Sequence, residues 1–206
     1  CDRGAVRLTQ DFPGAPRSAC TRLGPASFEL MIEPEARPIN PSPWYAFDLH
    51  REAGAPQGEA QVILEYAAAR HRYAPRRRTA AGWRPLGADA VTVLDEDGRR
   101  ASIRTALPAP GQSVRIAAQE VFSAAERRAW RRDYAARTEF ELFEIGRSVH
   151  GRPIEALRRP AARPEASVII ILGGQHPPEV PGVLGQRAFL DALAGLNQHR
   201  PGVLEG

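Results

Sequence analysis

A run of five aliphatic residues at positions 168–172 ends abruptly in two glycines, Gly173 and Gly174. An uninterrupted apolar run of this length, bounded by glycine, is typical of a strand that is buried on both faces of a sheet. Residues 183–196, VLGQRAFLDALAGL, follow closely and place their apolar side chains on one broad face of a helix. A buried strand that leads into a helix predicts an α/β domain.

The first 122 residues have a different pattern, in which apolar and polar residues alternate over short segments. Residues 27–32, 44–49 and 62–66 show this alternation, and the Asp97–Gly98 pair in LDEDGRR supplies a tight turn between two such segments. Several short strands separated by turn residues predict a small antiparallel β-sandwich or β-barrel over residues 1–122.

The helical pattern begins at Ser123. Ser123 and Glu126 have the spacing of a capping box, and apolar residues then recur at helical intervals. A short strand at 140–146, a His150–Gly151 turn and a return strand follow. The predicted fold class is therefore a two-domain α+β chain, in which residues 123–206 form the beginning of an α/β domain.

All 28 basic residues of the 206-residue chain are arginine, and the net charge is only +4. The densest basic stretch, RHRYAPRRR at 70–78, is read as the solvated end of a hairpin, because no wider basic stripe or binding motif surrounds it. We therefore expect no nucleic-acid partner. No apolar run approaches the ~20 residues that span a bilayer, so no transmembrane segment is predicted.

The two cysteines, Cys1 and Cys20, both lie near the amino terminus of the sequence. They are predicted to form a disulfide in a periplasmic or secreted protein. Two alternatives stay open, because spacing alone does not choose among them. Cys1 could carry a lipid and anchor the protein to a membrane, or both cysteines could be free thiols of a cytoplasmic protein.

His176 and Glu179 follow the predicted buried strand directly, in the segment Gly-Gly-Gln-His-Pro-Pro-Glu. Open α/β sheets bind ligands beyond the carboxyl ends of their strands. Glycine permits a sharp turn, and the two prolines restrict the backbone and can open the next helix at Pro178. Imidazole and carboxylate are ligands of catalytic zinc. In the alternative reading, His176 hydrogen-bonds within a loop and Glu179 faces solvent.

Two motifs in this order resemble a known family. EIGRSVHGRPIEAL at 144–157, followed by VIIILGGQHPPEVPG at 168–182, closely resembles the opening of the zinc carboxypeptidase (funnelin) family, in which a Gly-x-Ser-x-x-Gly-Arg-x-Ile element precedes a His-x-x-Glu pair. NPSPWYAF at 40–47 resembles the extra amino-terminal β-domain of the cytosolic carboxypeptidase branch. The resemblance implies a bacterial enzyme that uses zinc to hydrolyse the C-terminal amino acid of a peptide or protein.

The resemblance also implies roles for individual residues. His176 and Glu179 would be the first two zinc ligands, and the third ligand, the glutamate that acts as general base and the groups that hold the substrate carboxylate would follow Gly206. We therefore expect a chain that is truncated at its carboxyl end and inactive by itself, because catalytic zinc requires three protein ligands.

At three positions, the role that the family gives to a residue is not assigned to this chain. Pro178 stands where digestive members have an arginine, so that arginine's contact with substrate is not assigned here. His199 lies too close to His176 in sequence to be the third ligand and is expected at the surface. His150 stands where the family commonly has glutamate, in a turn, and is expected to be structural.

Two other functions remain possible from the sequence. A zinc deacylase of the aspartoacylase type would share the fold and a related His-x-x-Glu pair, but would not bring the NPSPWYAF β-domain. A non-catalytic β-sandwich binding module would leave the attached α/β segment without activity. Metal content and product analysis distinguish these alternatives.

Overall fold

The structure is a computed structural model that describes residues 1–34, 42–160, 165, 167–175 and 179–199, apart from the side chain of residue 198. The chain forms two compact units, Cys1–Val121 and Phe122–Gly206. The division falls one residue before the domain boundary that the sequence predicts. Each unit is described by itself below.

The first unit consists of two five-stranded sheets. Its described residues form ten strands: β1 (Val6–Thr9), β2 (Ala19–Gly24), β3 (Ser27–Ile32), β4 (Ala46–Arg51), β5 (Glu59–Tyr66), β6 (Arg76–Thr79), β7 (Gly82–Pro85), β8 (Val91–Val93), β9 (Arg100–Ala106) and β10 (Ser113–Ala117). One sheet has the order β1-β4-β10-β6-β7 and the other has the order β2-β3-β5-β9-β8.

One strand pair departs from the predicted antiparallel arrangement. Strands β3 and β5 are parallel, with Leu30 opposite Leu64, whereas the other described pairings in both sheets are antiparallel. The physical reason is the position of β4, which lies between β3 and β5 in sequence but belongs to the other sheet. A crossover of this kind returns the chain to the same end of the sheet, so the next strand runs parallel.

The core of the first unit lies between the two sheets. A single cluster of buried apolar side chains draws on both sheets, with Leu8, Phe47 and Ile116 from one. Phe28 and Val62 come from the other. The two open sheets therefore pack face to face as a sandwich, the first of the two predicted architectures, and do not close into a barrel.

The amino terminus of the first unit is held by a disulfide. Cys1 and Cys20 are bonded, with their Cα atoms 5.9 Å apart. Cys20 lies on β2, whereas the strand that follows Cys1, β1, belongs to the opposite sheet. The bond therefore links the segment that enters one sheet to an edge strand of the other.

The second unit contains two helices and a hairpin in its described residues: α1 (Ala124–Ala136), β11 (Glu141–Arg147), β12 (Pro153–Arg158) and α2 (Val180–His199). The predicted capping box of α1 is confirmed, because Ser123 Oγ accepts from the backbone N–H of Glu126 and the Glu126 carboxylate accepts from the backbone N–H of Ser123. Strands β11 and β12 pair antiparallel across the predicted turn. His150 lies in this turn and is exposed.

The helices of the second unit pack on each other through Tyr134. This side chain is fully buried on α1, and its hydroxyl donates to the backbone carbonyl of Leu190 on α2 at 2.8 Å. Leu190 and Ala194 complete a small buried cluster with Tyr134. No helix in the described ranges is long and apolar enough to span a membrane.

The prediction of a buried strand at 168–172 is wrong. These residues belong to none of the described sheets, and their side chains are exposed, Ile169 by 85%. The reason is the lack of a pairing partner in the described part of the second unit, where β11 and β12 pair with each other. An aliphatic run becomes a buried strand only when a neighbouring strand satisfies its backbone and another layer covers its side chains.

Candidate functional site

The predicted ligand pair lies at the junction between residues 168–175 and α2. The backbone carbonyl of Glu179 accepts from the N–H of Val183 at 3.4 Å, so Glu179 is the residue that precedes the first turn of α2. Its side chain is exposed. His176 and the two prolines after it lie outside the described residues, and the convergence of His176 with Glu179 stays a prediction. The helix begins at Val180, after the predicted opening at Pro178.

The glycine pair allows the turn to lie directly against α2. Gly174 has φ of +68°, in the left-handed region that glycine adopts without strain. A Cβ atom on Gly174 would lie 2.4 Å from Cγ2 of Val183, and one on Gly173 would lie 2.6 Å from Oε1 of Gln186. The sequence predicts a sharp turn here. The structure adds that close contact with Val183 requires glycine at 174, whereas a side chain at 173 would have to displace the end of the flexible Gln186 side chain.

A hydrogen bond fixes the segment that enters the turn. The side-chain amide of Gln186 donates from Nε2 to the backbone carbonyl of Ile171 at 3.0 Å. Gln186 therefore contacts the chain on both sides of Leu172, through a hydrogen bond at Ile171 and through packing at Gly173. Sequence analysis places Gln186 on α2 without a role, because a glutamine within a helix has no pattern that predicts such a contact.

Arg127 lies on the other side of the turn. Its Nε donates to the backbone carbonyl of Phe122 at 3.0 Å, and its Nη1 lies 3.7 Å from the position that a Cβ on Gly174 would occupy. Burial lowers the pKa of this guanidinium, and the neighbouring charge of Arg131 lowers it further. No pattern in the sequence predicts this position for Arg127. The available signal was a cation close to the start of a helix, where the helix dipole disfavours positive charge.

Arginine–aromatic contacts join α1 to α2 beside the turn. The Phe122 ring centroid lies 5.9 Å from Cζ of Arg127 and 5.8 Å from Cζ of Arg187. Cζ of Arg187 also lies 5.9 Å from the ring centroid of Trp130. We call these four residues, Phe122, Arg127, Trp130 and Arg187, the arginine–aromatic stack. It links the first turns of α1 to the middle of α2, one residue from Gln186.

Glu155 is held by two arginines of α1. Its carboxylate accepts from Nη2 of Arg131 at 2.8 Å and lies 3.5 Å from Nε of Arg128. The hydrogen bond from Arg131 lowers the pKa of Glu155, and the charges of nearby arginines act in the same direction. This carboxylate therefore links β12 to α1 and stays ionised, so we do not assign it an acid–base role.

The described residues do not by themselves complete a metal site. Catalytic zinc takes three protein ligands, and within the described ranges no three His, Cys, Asp or Glu side chains are grouped closely enough to hold an ion. Glu179 has the right donor type and an exposed position. His199 is exposed at the last residue of α2, the opposite end from Glu179, and is not brought to the turn.

The fold is similar to that of solved bacterial structures named as carboxypeptidases. No protein-family model and no curated protein matches the sequence. A metallo-carboxypeptidase from Burkholderia cenocepacia has a TM-score of 0.72 and 19% identity, over 95% of this chain and 51% of its own. A Burkholderia mallei protein named as a candidate carboxypeptidase has a TM-score of 0.72 and 18% identity, over 97% and 50%.

A third solved structure extends the comparison to a ligand complex. The metallo-carboxypeptidase from Pseudomonas aeruginosa, solved with (2-guanidinoethylmercapto)succinic acid, has a TM-score of 0.57 and 22% identity, over 78% of this chain and 41% of its own. This chain spans about half the length of the two Burkholderia proteins. Similarity at these identities shows a shared fold.

Proposed function

We propose that this chain forms part of a zinc-dependent metallo-carboxypeptidase that removes C-terminal amino acids from peptides or proteins. The observation that carries the proposal is the fold, which matches the Burkholderia cenocepacia metallo-carboxypeptidase over 95% of the chain. The His-Pro-Pro-Glu segment supports it from the sequence, because it lies between the glycine turn and the start of α2.

Under this proposal His176 and Glu179 are two ligands of the zinc ion. The exposed position of Glu179 before α2 supports its part, because the helix dipole favours an anion at this end of the helix. The family resemblance places a third ligand and the general base after position 206, and the proposal keeps that expectation. Zinc bound there would polarise the scissile carbonyl and activate water.

The residues of this chain then act by positioning. Gly173 and Gly174 lie against α2, and Gln186 fixes Ile171, so the backbone that leads to His176 is fixed on one side. Glu179 is fixed on the other side by the first backbone hydrogen bond of α2. A turn held on both sides limits the positions that its ligands can adopt, which lowers the entropy lost on binding the metal and substrate.

Metal content and peptide hydrolysis test the proposal. The protein is produced from its native reading frame, with whatever residues follow position 206, and zinc is measured by mass spectrometry alongside turnover of peptides that differ in their C-terminal residue. We expect one zinc per chain and release of single C-terminal amino acids. His176→Ala and Glu179→Gln should each lower the zinc content and the peptide turnover by at least about tenfold. His199→Ala, on the exposed end of α2, is the matched control.

The same measurements reject the proposal if turnover persists unchanged in His176→Ala, or if the protein binds no zinc. Hydrolysis of N-acyl amino acids in place of peptides would identify a deacylase. The compound bound to the Pseudomonas aeruginosa protein is a direct probe, and competitive inhibition by it would indicate a site that accepts carboxylates together with a basic group.

We also propose that the protein works in an oxidising compartment, either periplasmic or extracellular. The bond between Cys1 and Cys20 supports this location, because structural disulfides persist where thiols are not kept reduced.

A further inference from the structure

We propose that Arg127 is a positioning residue that fixes the Gly173–Gly174 turn, and through it the metal ligands His176 and Glu179. This inference rests on the proposed function for its consequence at the metal. The position of Arg127 beside the turn is independent of that function, and the two are tested separately below.

Arg127 occupies a position of α1 that is unfavourable for a cation. It lies four residues after the N-cap Ser123, where the helix dipole disfavours a cation. Arg131, one turn further along, adds a second positive charge that lowers the pKa of Arg127. Arg128 and Arg131 share the carboxylate of Glu155. Within the described chain, Arg127 takes part in no ion pair.

The side chain of Arg127 lies beside the turn. Its Nη1 lies 3.7 Å from the position that a Cβ on Gly174 would occupy, while its Nε donates to the carbonyl of Phe122. Because a guanidinium is planar, the Nε bond fixes the plane at one end and keeps the other end beside the open space over Gly174. Val183 occupies the facing side, 2.4 Å from the same Cβ position. Gly174 is therefore enclosed between α1 and α2.

Few residues of sequence separate the turn from the proposed ligands. His176 follows Gly174 by two residues, and Glu179 directly precedes the helix that carries Val183 and Gln186. Under the proposed function, the position of the turn therefore limits where a ligand only two residues further along the chain can lie. The arginine–aromatic stack ties Arg127 to Arg187 on α2, next to Gln186, so Arg127 couples the turn to the helix that begins at Glu179.

The test compares Arg127→Gln with Arg127→Lys and with Arg132→Gln in the native protein. Arg132 is exposed on the same helix, and its side chain makes no hydrogen bond or ion pair within the described chain, so it controls for the loss of one charge on α1. Three quantities are measured: the zinc dissociation constant by competition with a chelator, kcat and KM on a peptide substrate, and amide hydrogen exchange at residues 172–175 in the metal-free protein.

We expect Arg127→Gln to raise the zinc dissociation constant about tenfold, the lower end of what outer-sphere groups contribute. It should also speed exchange at the turn and lower kcat more than it raises KM, while the midpoint of thermal unfolding stays the same or rises. Arg127→Lys should resemble Arg127→Gln, because an ammonium lacks the planar group and the Nε bond. Arg132→Gln should match the wild type in all three measurements.

Unchanged hydrogen exchange at residues 172–175 in Arg127→Gln would overturn the proposal, even if the zinc dissociation constant changes. So would a loss of zinc affinity that only follows a fall in unfolding temperature, because that result would indicate a general structural role. If the wild-type protein binds no zinc, the proposed function fails, and hydrogen exchange still decides whether Arg127 fixes the turn.

Discussion

Replacing Gly174 by alanine tests the geometry of the turn most directly. The substitution adds one methyl group at a residue with φ of +68°, and that methyl group would lie 2.4 Å from Cγ2 of Val183. Two separate costs follow: the backbone must hold a left-handed conformation with a Cβ, and the new atom overlaps a side chain that is itself buried on α2.

The size of the effect follows from these two costs. The left-handed conformation costs a residue with a Cβ roughly 1–2 kcal/mol. Forcing an extra methyl group into a filled space costs typically about 1–3 kcal/mol. Alanine recovers roughly 0.4–1 kcal/mol by restricting the unfolded chain. We therefore expect Gly174→Ala to lower the free energy of unfolding of the second unit by about 1–4 kcal/mol.

The assay is urea unfolding, followed by the fluorescence of Trp130. The other two tryptophans, Trp44 and Trp83, lie in the first unit and are replaced by phenylalanine in every variant, so the signal reports on the second unit. Gly185→Ala is the matched control, because Gly185 lies within α2 with no other atoms near its Cβ position. That control should stabilise the unit by up to about 1 kcal/mol.

A double-mutant cycle separates the two costs. Val183→Ala removes the overlapping methyl groups, so the further loss caused by Gly174→Ala should shrink by the steric part, about 1–3 kcal/mol, and keep the backbone part. A loss below about 0.5 kcal/mol for Gly174→Ala, or additive effects of the two substitutions, would refute the close packing of the turn on α2.

Two further predictions concern the first unit. Burial lowers the pKa of His71, whose Nδ1 lies 2.9 Å from the Tyr66 hydroxyl. As the pH falls below about 6.5, the unfolded chain therefore takes up a proton at His71 before the folded chain does. The part of the free energy of unfolding that depends on neutral His71 is complete above that pH and is lost as the pH falls through the folded-state pKa of His71. Thermal unfolding at pH 7.5 and 5.5 should show a smaller pH dependence in His71→Gln, and an equal dependence would contradict the reasoning. Reducing the bond between Cys1 and Cys20 should lower the free energy of unfolding by about 3 kcal/mol, judged from loop entropy. Alkylation of Cys20 without reductant, or a lipid on Cys1 detected by mass spectrometry, would show that the bond does not form.

Elements that depend on local patterns could be predicted from the sequence. Strands β3 and β5 follow the alternation of apolar residues, and every second side chain of each is buried. The start of α1 follows from the capping box of Ser123 and Glu126. In each case neighbouring residues determine the structure, so a short window of sequence contains the necessary information.

Elements that depend on distant partners could not be predicted in the same way. The parallel pairing of β3 with β5 depends on β4 entering the other sheet, which no residue of β3 or β5 encodes. For strand β6, where three of the four residues are arginines, the sequence predicts only the solvated end of a hairpin. It is nevertheless a strand, since Ile116 and Ala117 of β10 provide its backbone partners.

The turn before α2 combines both kinds of information. Two consecutive glycines predict a sharp bend from sequence alone, but the side chains that lie beside the bend come from Gln186 and from Arg127, which precedes the turn by more than forty residues. The sequence still gives one indication that Arg127 is unusual. A cation so near the start of α1 violates a local rule of helix stability, and such violations tend to occur at functional sites, where another interaction offsets the cost. Arg127 is such a cation, and its side chain lies beside the turn that is proposed to carry metal ligands. This position is the reason to test Arg127 for a role beyond the packing of its own helix.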